Sequence, residues 1–256
     1  MQVQIVSSSP KHQRLNPALD IQNLWFGYTP TVPVLPGINL TVAQGEHLGI
    51  VGHNGCGKTT LFLLLCGLLA PQQGQIQCLA RLVKPGGFSP DIGLVFQNPD
   101  DQLFSASVWE DVAFGPQNLG LPVDLVNQRV QQALALTGLT ALAHCPPHHL
   151  SGGQKRMTAI AGILAMAPQI ILYDEPTANL DQRARRRLIQ FLQTSTETRL
   201  IASHDLEFLL EVCSRLVLMD AGHIVATGSP REILGNPQLM ADYDLEVPHS
   251  LRLALA

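Results

Sequence analysis

The chain has 256 residues, of which 46% are hydrophobic and 14% charged, and its formal net charge is −4. That length is enough for one large domain or two small ones, and the apolar fraction is enough to bury a sizeable core. Acidic and basic residues are scattered, which argues against a nucleic-acid partner, because such a partner needs a clustered basic face. The one basic run, Arg183 and Arg185 to Arg187, is interpreted as a solvated helix face.

The cysteines and the N-terminal sequence indicate a reduced, cytoplasmic compartment. The five cysteines are an odd number, no Cys-x-x-Cys occurs, and the first residues lack the apolar run of a signal peptide. The longest apolar stretches, Leu61 to Ala70 and Ala159 to Ala167, are too short to span a bilayer, which needs about 20 residues. Any role at a membrane is therefore predicted to work through a partner.

Short apolar runs alternate with amphipathic segments along most of the chain, after a polar leader at 1–17 that is predicted to be mobile. The predicted elements, in chain order, are strands at 18–26, 37–42 and 46–51, a helix from Lys58, strands at 74–79 and 91–96, a mostly helical block at 98–150, a helix from Ser151, a strand at 170–174, a helix at 182–193, a strand at 199–203, a helix at 206–213, and strands at 215–220 and 223–228. This alternation predicts an α/β fold with a largely parallel sheet. We expect one domain at 18–235 with an inserted helical subdomain at about 98–167, followed by a C-terminal tail at 236–256.

A glycine-rich segment at 52–60 follows the third predicted strand and precedes the first predicted helix, and it reads GHNGCGKTT. The pattern G-x-x-x-x-G-K-[ST] is matched by Gly52, Gly57, Lys58 and Thr59. The glycines let successive N–H groups converge on phosphate oxygens, and the helix N-terminus adds its positive dipole end. Lys58 is predicted to place its charge on the β- and γ-phosphates, and the Thr59 hydroxyl to ligate Mg²⁺. A chance glycine-rich turn would not explain the flanking strand and helix.

One of the predicted phosphate-binding residues is a cysteine. These residues are Gly52, His53, Asn54, Gly55, Cys56, Gly57, Lys58, Thr59 and Thr60. Cys56 lies among backbone amides and near Lys58, a setting that predicts thiolate character and reactivity toward alkylating reagents.

Two carboxylates follow a second buried strand, in the segment IILYDEP. Asp174 and Glu175 stand at the carboxyl end of that strand, where ligands bind in open α/β sheets. Asp174 is predicted to hold Mg²⁺, directly or through water. Glu175 is predicted to polarise the attacking water. The alternative is a pair of ordinary loop carboxylates. Because the same chain also has a phosphate loop, the functional interpretation is favoured.

The pentapeptide LSGGQ at 150–154 has a structural and a functional interpretation. Ser151 and Gln154 have the spacing of a capping box before a helix, which explains them structurally. Gly152 and Gly153 expose N–H groups at the same helix start, which makes a ready anion site. The two interpretations are compatible.

With these motifs in this order, the chain resembles the ATP-binding cassette proteins over roughly residues 18–235. The resemblance implies a P-loop NTPase fold with a mixed, largely parallel sheet and an N-terminal antiparallel β region, and it implies ATP and Mg²⁺ as ligands. It assigns Gln97 to the loop that senses Mg²⁺ and contacts the membrane partner, and 179–181 to the D-loop. His204 matches the switch histidine that contacts the γ-phosphate, and Tyr28 the aromatic residue that stacks on adenine.

Some of these assignments keep an alternative. Tyr28 could instead be a buried core aromatic, and the adjacent Trp25 and Phe26 are candidates for the stacking role too. A lone histidine such as His204 is often a structural residue. Cys56 stands where the family more often has Ser or Ala, and Asn179 where Gly or Ala is commoner. We expect both departures to be mild, because Cys56 need not touch nucleotide and Asn tolerates left-handed backbone.

The resemblance also implies a dimer, in which two cassettes face each other head to tail and each ATP lies between the phosphate loop of one and LSGGQ of the other. Ser151 and Gly153 have no evident function in their own chain's phosphate site, which agrees with such an arrangement. The chain is expected to pair with itself or with a related ATPase.

The segment at 91–121, DIGLVFQNPDDQLFSASVWEDVAFGPQNLGL, resembles the ATPases of energy-coupling-factor importers, including the cobalt and nickel type. This implies peripheral attachment to the cytoplasmic face of the membrane through a scaffold and substrate-binding membrane subunits. The cargo would be a transition-metal ion or a vitamin. Asp100 and Asp101 are candidates to meet arginines of the scaffold, with Phe104 as an apolar anchor, although both carboxylates could merely cap the following turn. The alternatives are an ATPase for another transporter and a soluble ATPase of this fold.

One further cluster, HCPPHH at 144–149, has side chains that could hold zinc. Its two prolines stiffen it, and no matching ligand pair lies elsewhere in the sequence. We therefore interpret it as a short His/Cys tract without a metal.

Overall fold

A computed structural model describes residues 17–29, 31–87 and 89–252. Ten strands form two sheets in this part of the chain: β1 Leu19–Phe26, β2 Leu35–Val42, β3 His47–Val51, β4 Gln73–Cys78, β5 Arg81–Leu82, β6 Ile92–Val95, β7 Ile170–Asp174, β8 Thr198–Ala202, β9 Arg215–Asp220 and β10 His223–Gly228. The α-helices are α1 Lys58–Leu65, α2 Val108–Asn118, α3 Val123–Thr137, α4 Gly152–Met166, α5 Gln182–Thr194, α6 Leu206–Val212, α7 Pro230–Leu234, α8 Pro237–Asp242 and α9 His249–Arg252, with 3₁₀ turns at Pro99–Asp101, Thr140–Leu142 and Pro147–His149.

The larger sheet has six strands in the order β10-β9-β3-β8-β7-β6. The pairings from β9 to β6 are parallel, and only β10 is antiparallel to its neighbour. The smaller sheet is antiparallel, in the order β2-β1-β4-β5. The predicted fold class, a mixed and largely parallel core with an N-terminal antiparallel region, is confirmed.

The parallel sheet is covered on both faces, which explains why its strands read as short continuous apolar runs. Successive side chains point to opposite faces of a strand. In β7, Ile171 and Tyr173 accordingly join the core that holds the helices α2 to α6. Ile170 and Leu172 join the core shared with α1 and the antiparallel sheet. All four side chains are buried.

The helical block predicted in the middle of the chain consists of α2, α3 and α4, which contact one another. The Ser107 side chain caps α2, and Gly138 ends α3 in a left-handed conformation. α4 begins at the predicted capping box: the Ser151 hydroxyl accepts from the Gln154 N–H at 3.3 Å, and the Gln154 side chain accepts from the Ser151 N–H at 2.8 Å. The structural interpretation of LSGGQ is therefore confirmed.

The arginine run on α5 divides in two. Three of its members, Arg183, Arg186 and Arg187, are exposed, as a solvated face requires. Arg185 is half-buried, pairs with Asp205 at 2.7 Å and lies over the Phe208 ring.

The segment predicted as a C-terminal tail carries two short helices, α8 and α9. Met240 and Leu251 are buried in the core to which α6 and α7 also belong. The predicted leader lies outside the described residues except for Pro17. Within the described ranges, no helix has both the length and the apolar character needed to cross a bilayer.

Candidate functional site

Three neighbouring parallel strands end at the same edge of the large sheet. The phosphate loop at 52–60 follows β3, His204 follows β8, and Asp174 with Glu175 ends β7. Because carboxyl ends of parallel strands meet at one edge, the fold brings together residues that are far apart in sequence.

The phosphate loop leads into α1 without a side-chain cap. Gly57 is the N-cap residue, with φ 106°, and as a glycine it has no side chain that could cap the helix. A side chain there would be strained and would also meet Leu35, 2.7 Å from the position of its Cβ. The N–H groups of the first helical turn have no partner within the helix, so this end is a site for an anion.

Lys58 directs its charge into the loop rather than toward solvent. Its side chain is buried, and Nζ donates to the carbonyl oxygens of Gly52 at 2.6 Å and His53 at 3.0 Å. The ammonium group therefore lies within the turn whose backbone would surround a phosphate.

The prediction that Cys56 is a thiolate is wrong. Only 5% of this residue is exposed. Burial raises the pKa of the Cys56 thiol, and the nearby charge of Lys58, whose Nζ is 3.9 Å from Sγ, only partly offsets this. Proximity to a cation was visible in the sequence, but the desolvation that outweighs it depends on packing.

Thr59 and Asp174 meet across the site. The Thr59 hydroxyl donates to Oδ2 of Asp174 at 2.7 Å. Burial raises the pKa of the Asp174 carboxyl, and this hydrogen bond partly counteracts the shift. The pair places a hydroxyl and a carboxylate oxygen side by side, and both are hard donors of the type that Mg²⁺ prefers.

Glu175 has a constrained backbone and an unequal pair of carboxylate oxygens. Its φ is 45°, and its N–H donates to the carbonyl of Ala202 at 2.8 Å. Oε2 accepts from the Ser203 hydroxyl at 3.2 Å, from the His204 N–H at 3.2 Å and from His204 Nδ1 at 2.7 Å. Oε1 is buried and has no protein partner.

The bond to Glu175 determines the tautomer of His204. Because a carboxylate accepts, Nδ1 carries the hydrogen, and in the neutral ring Nε2 is left as an acceptor. The side chain is 68% exposed, so Nε2 can reach a ligand. His204 is therefore an exposed histidine whose Nδ1 is satisfied by Glu175.

Tyr28 lies at the surface beside the phosphate loop. It is 63% exposed, and its hydroxyl is 3.2 Å from Oγ1 of Thr60. Its ring forms an edge-to-face pair with Phe26, with ring centroids 5.1 Å apart. The alternative of a buried core aromatic is wrong for Tyr28 and applies to Phe26 instead.

In the described residues, no hydrogen bond joins LSGGQ to the phosphate loop. Ser151 and Gly152 are exposed at the start of α4, and the bonds of Ser151 described above stay within its own turn. Gly153 packs closely on α5, since an added Cβ would lie 2.5 Å from Cβ of Ala184. The D-loop has Asn179 at φ 60°, as tolerance of Asn for left-handed backbone allows.

Sequence reasoning missed Arg156, which links α4 to the loop after β6. Only 1% of it is exposed, and its guanidinium donates to the carbonyl oxygens of Phe96 and Gln97, both at 2.5 Å. Burial lowers its pKa to about 10. The available signal was a charged residue in an otherwise apolar helical run.

The side chains after Gln97 differ in their exposure to solvent. Phe104 and Phe114 are exposed and form an edge-to-face pair with ring centroids 4.8 Å apart. Asp100 is exposed and pairs with Lys155 at 2.7 Å. By contrast, Asp111 is buried and accepts from the N–H groups of 104 and 105.

The turn after Gln97 is capped by Asn98, whose side chain accepts from the Asp100 N–H. In the described residues, the Asp100 side chain accepts from Lys155 and that of Asp101 from the Asn98 amide, and neither accepts from a backbone N–H of the turn that follows them. In the described part of the chain, no group of three or more His, Cys, Asp or Glu residues could hold a metal, and this covers the HCPPHH stretch.

A parallel sheet with a glycine-rich loop before α1 and a carboxylate pair after β7 defines a P-loop nucleoside triphosphatase. Residues 35–178 match the family described as ABC transporter. The chain belongs to this family and is one of its ATPases.

Individual relatives agree with this assignment. A putative ABC transporter ATP-binding protein of Synechocystis sp. is 57% identical over 236 residues, which cover 92% of this chain and 83% of that protein. The energy-coupling factor transporter ATP-binding protein EcfA of Methanothermobacter thermautotrophicus is 42% identical over 246 residues, covering 92% and 78%. The solved structure of cbiO1 from Clostridium perfringens, part of the ABC transporter complex cbiONQ, gives a TM-score of 0.78 at 36% identity and covers 94% of this chain and 99% of that one.

Proposed function

We propose that the chain is the ATP-hydrolysing motor subunit of an energy-coupling-factor type importer. In this proposal the loop at 52–60 binds the phosphates of ATP, and Tyr28 stacks on the adenine. The uncapped start of α1 and the buried ammonium of Lys58 support the first role. The exposure of the Tyr28 ring next to Thr60 supports the second.

The residues present fit a magnesium ion bound together with ATP. Thr59 and Asp174 supply adjacent oxygens, and the Gln97 side chain, exposed after β6, is proposed as a further ligand. Bound Mg²⁺ would neutralise charge on the β- and γ-phosphates. Arg156 would keep Gln97 in place through its carbonyl oxygen.

Glu175 is proposed as the general base and His204 as its partner at the γ-phosphate. The bond at 2.7 Å from Nδ1 holds Oε2 in a fixed direction and leaves Nε2 of His204 for the nucleotide. Because phosphate oxygens only accept, we propose that the ring is protonated when Nε2 donates to the γ-phosphate. Oε1 has no protein partner but is buried, and we propose that it accepts a proton from the attacking water when a small movement of the side chain exposes it.

A second subunit is proposed to complete the site. The helix start of Ser151, Gly152, Gly153 and Gln154 is partly exposed, and among the described residues it makes no hydrogen bond to its own phosphate loop. A head-to-tail dimer would place this helix start, with its positive dipole end, on the ATP of the partner. The partner is a second copy of this chain or a related ATPase.

The importer assignment rests on one observation above all, the exposed pair Phe104 and Phe114, which belongs to the same segment after β6 as the exposed residues Gln97 and Asp100. Apolar anchors rimmed by charge are typical of a surface that receives a partner. The relatives named EcfA and cbiO1 are described as parts of transporters, which supports the same conclusion. We propose that the chain attaches in this way to membrane subunits at the cytoplasmic face, and that the cargo is a transition-metal ion such as cobalt or nickel, or a vitamin.

Co-purification tests this proposal. The tagged chain would be extracted from its own cells in mild detergent, and the bound membrane proteins identified by mass spectrometry. We expect a membrane scaffold and a small substrate-binding membrane protein, whose ligand then identifies the cargo. Recovery of the subunits of another transporter class, or of soluble partners alone, would contradict the importer assignment while leaving the ATPase intact.

A further inference from the structure

The C-terminal segment at 236–252 reaches the phosphate loop. Nε2 of His53, the second residue of the loop, lies 2.5 Å from the carbonyl oxygen of Tyr243. A carbonyl can only accept, so Nε2 carries the hydrogen and donates it. This bond joins two parts of the chain that are 190 residues apart.

The Tyr243 carbonyl is held in place by the turn that ends α8. The N–H of Leu245 donates to the carbonyl of Met240 at 2.8 Å, and Asp244 adopts φ 49°. Met240 is buried, and Leu245 packs against the same core. The acceptor that His53 meets is therefore anchored in the protein interior rather than on a free chain end.

The same segment also contacts the helix that follows the switch histidine. The N–H and hydroxyl of Ser250 donate to the two carboxylate oxygens of Glu207, at 3.0 and 2.6 Å. These bonds lower the pKa of Glu207, which lies in the first turn of α6. Residues 236–252 thus contact the loop after β3 and the helix after β8.

Two other contacts also hold the phosphate loop. The N–H of Gly222 donates to the carbonyl of Cys56 at 3.1 Å, and Lys58 Nζ holds the carbonyls of Gly52 and His53 from inside the loop. The turn at 53–55 is exposed, and no atom lies within 4 Å of where a Cβ of Gly55 would be. The His53 side chain therefore adds an anchor on the exposed side of the loop to the bond that Lys58 makes with the His53 carbonyl.

We propose that His53 is a positioning residue, through which the segment at 236–252 holds the phosphate loop in the shape that binds ATP. The inference rests on the role proposed above for the loop and is independent of the cargo. A loop that is already ordered binds its ligand with less loss of entropy. Because coupling is reciprocal, nucleotide binding must in turn stabilise the segment.

Nucleotide affinity tests the contact from both sides. The dissociation constant of a fluorescent ATP analogue would be measured for His53→Ala and for His53→Gln, whose amide keeps a donor. Asp244→Pro, which cannot adopt φ 49°, would be compared with Asp244→Gly, which can. We expect His53→Ala and Asp244→Pro to weaken binding about fivefold, as for loss of one hydrogen bond. His53→Gln should weaken binding less than His53→Ala, because its amide can still donate, and Asp244→Gly should bind as the wild type does.

Two further measurements separate positioning from simple stability. The double variant of His53→Ala and Asp244→Pro should bind no more weakly than either single variant, because both break the same contact. In hydrogen exchange, ADP should slow the amides of 239–246 in the wild type but not in His53→Ala. Wild-type affinity of His53→Ala, or equal protection by ADP in both proteins, would overturn the proposal.

A separate arm tests the site itself. Lys58→Ala should abolish binding of the analogue, and normal binding by this variant would refute the phosphate-loop assignment rather than the role of His53. Thermal melting would identify any variant that fails to fold. If Asp244→Pro does so, the pair of His53 variants and the exchange experiment decide the question.

Discussion

Replacement of Glu175 by glutamine changes charge with little change in shape, and it tests the proposed chemistry most directly. The substitution removes the proton acceptor at Oε1, which has no protein partner. A general base contributes about 10²- to 10⁴-fold to a rate. We therefore expect steady-state hydrolysis to fall by at least about a hundredfold, or about 2.7 kcal/mol in the activation barrier.

The same substitution has a separate and smaller cost in stability. The amide oxygen can replace Oε2 as the acceptor for Ser203 and His204, but without the carboxylate charge each bond is weaker. The amide nitrogen then occupies the buried position of Oε1 without an acceptor, which costs about 1–3 kcal/mol. We expect the melting temperature of the nucleotide-free protein to fall by several degrees.

Hydrolysis by Glu175→Gln would be measured by phosphate release, ATP affinity by equilibrium binding, and association by sedimentation with and without ATP. Affinity should stay near that of the wild type, and ATP should trap a dimer, because closure without hydrolysis cannot reverse. Glu211→Gln, on the exposed end of α6, is the matched control and should hydrolyse ATP normally. Near-normal turnover by Glu175→Gln would refute its role as the base.

Three other predictions concern different surfaces. Ser151→Ala should leave ATP binding by the monomer intact but impair ATP-driven dimerisation and hydrolysis, and the lost cap should cost about 1 kcal/mol of stability. Gly153→Asp should have the same effect with a larger loss of stability, because the new side chain meets Ala184. Weakened ATP binding by the monomer without a dimerisation defect would instead indicate a site within one chain. The raised pKa of Cys56 predicts that this thiol is alkylated slowly at neutral pH and faster as the pH rises above the ordinary thiol pKa. Mass spectrometry would follow the reaction, and alkylation of Cys56 faster than that of a free thiol at pH 7 would contradict the prediction. Reversal of Asp100 and Asp101 to lysine should abolish uptake and weaken co-purification with the membrane subunits at unchanged ATP affinity, since the exposed pair of Asp100 with Lys155 contributes less than about 1 kcal/mol to folding; normal assembly and uptake would place the coupling surface elsewhere.

The sequence by itself determined the local features of this protein. The phosphate loop was recognisable because its glycines, Lys58 and Thr59 stand at fixed spacing between a strand and a helix. The capping box of Ser151 and Gln154 was recognisable for the same reason, since cap bonds join residues within one turn. The fold class followed from the alternation of short apolar runs with helices, which is also a short-range pattern.

Only the tertiary structure decided how distant residues act on one another. The state of Cys56 depends on burial, which a sequence neighbour such as Lys58 does not reveal. The bonds from Arg156 to the loop after β6, and from His53 to Tyr243, join segments whose separation in space is set by the packing of sheet and helices. Spacing along the chain encodes contacts within a turn or strand, whereas these contacts arise only when the whole core is assembled.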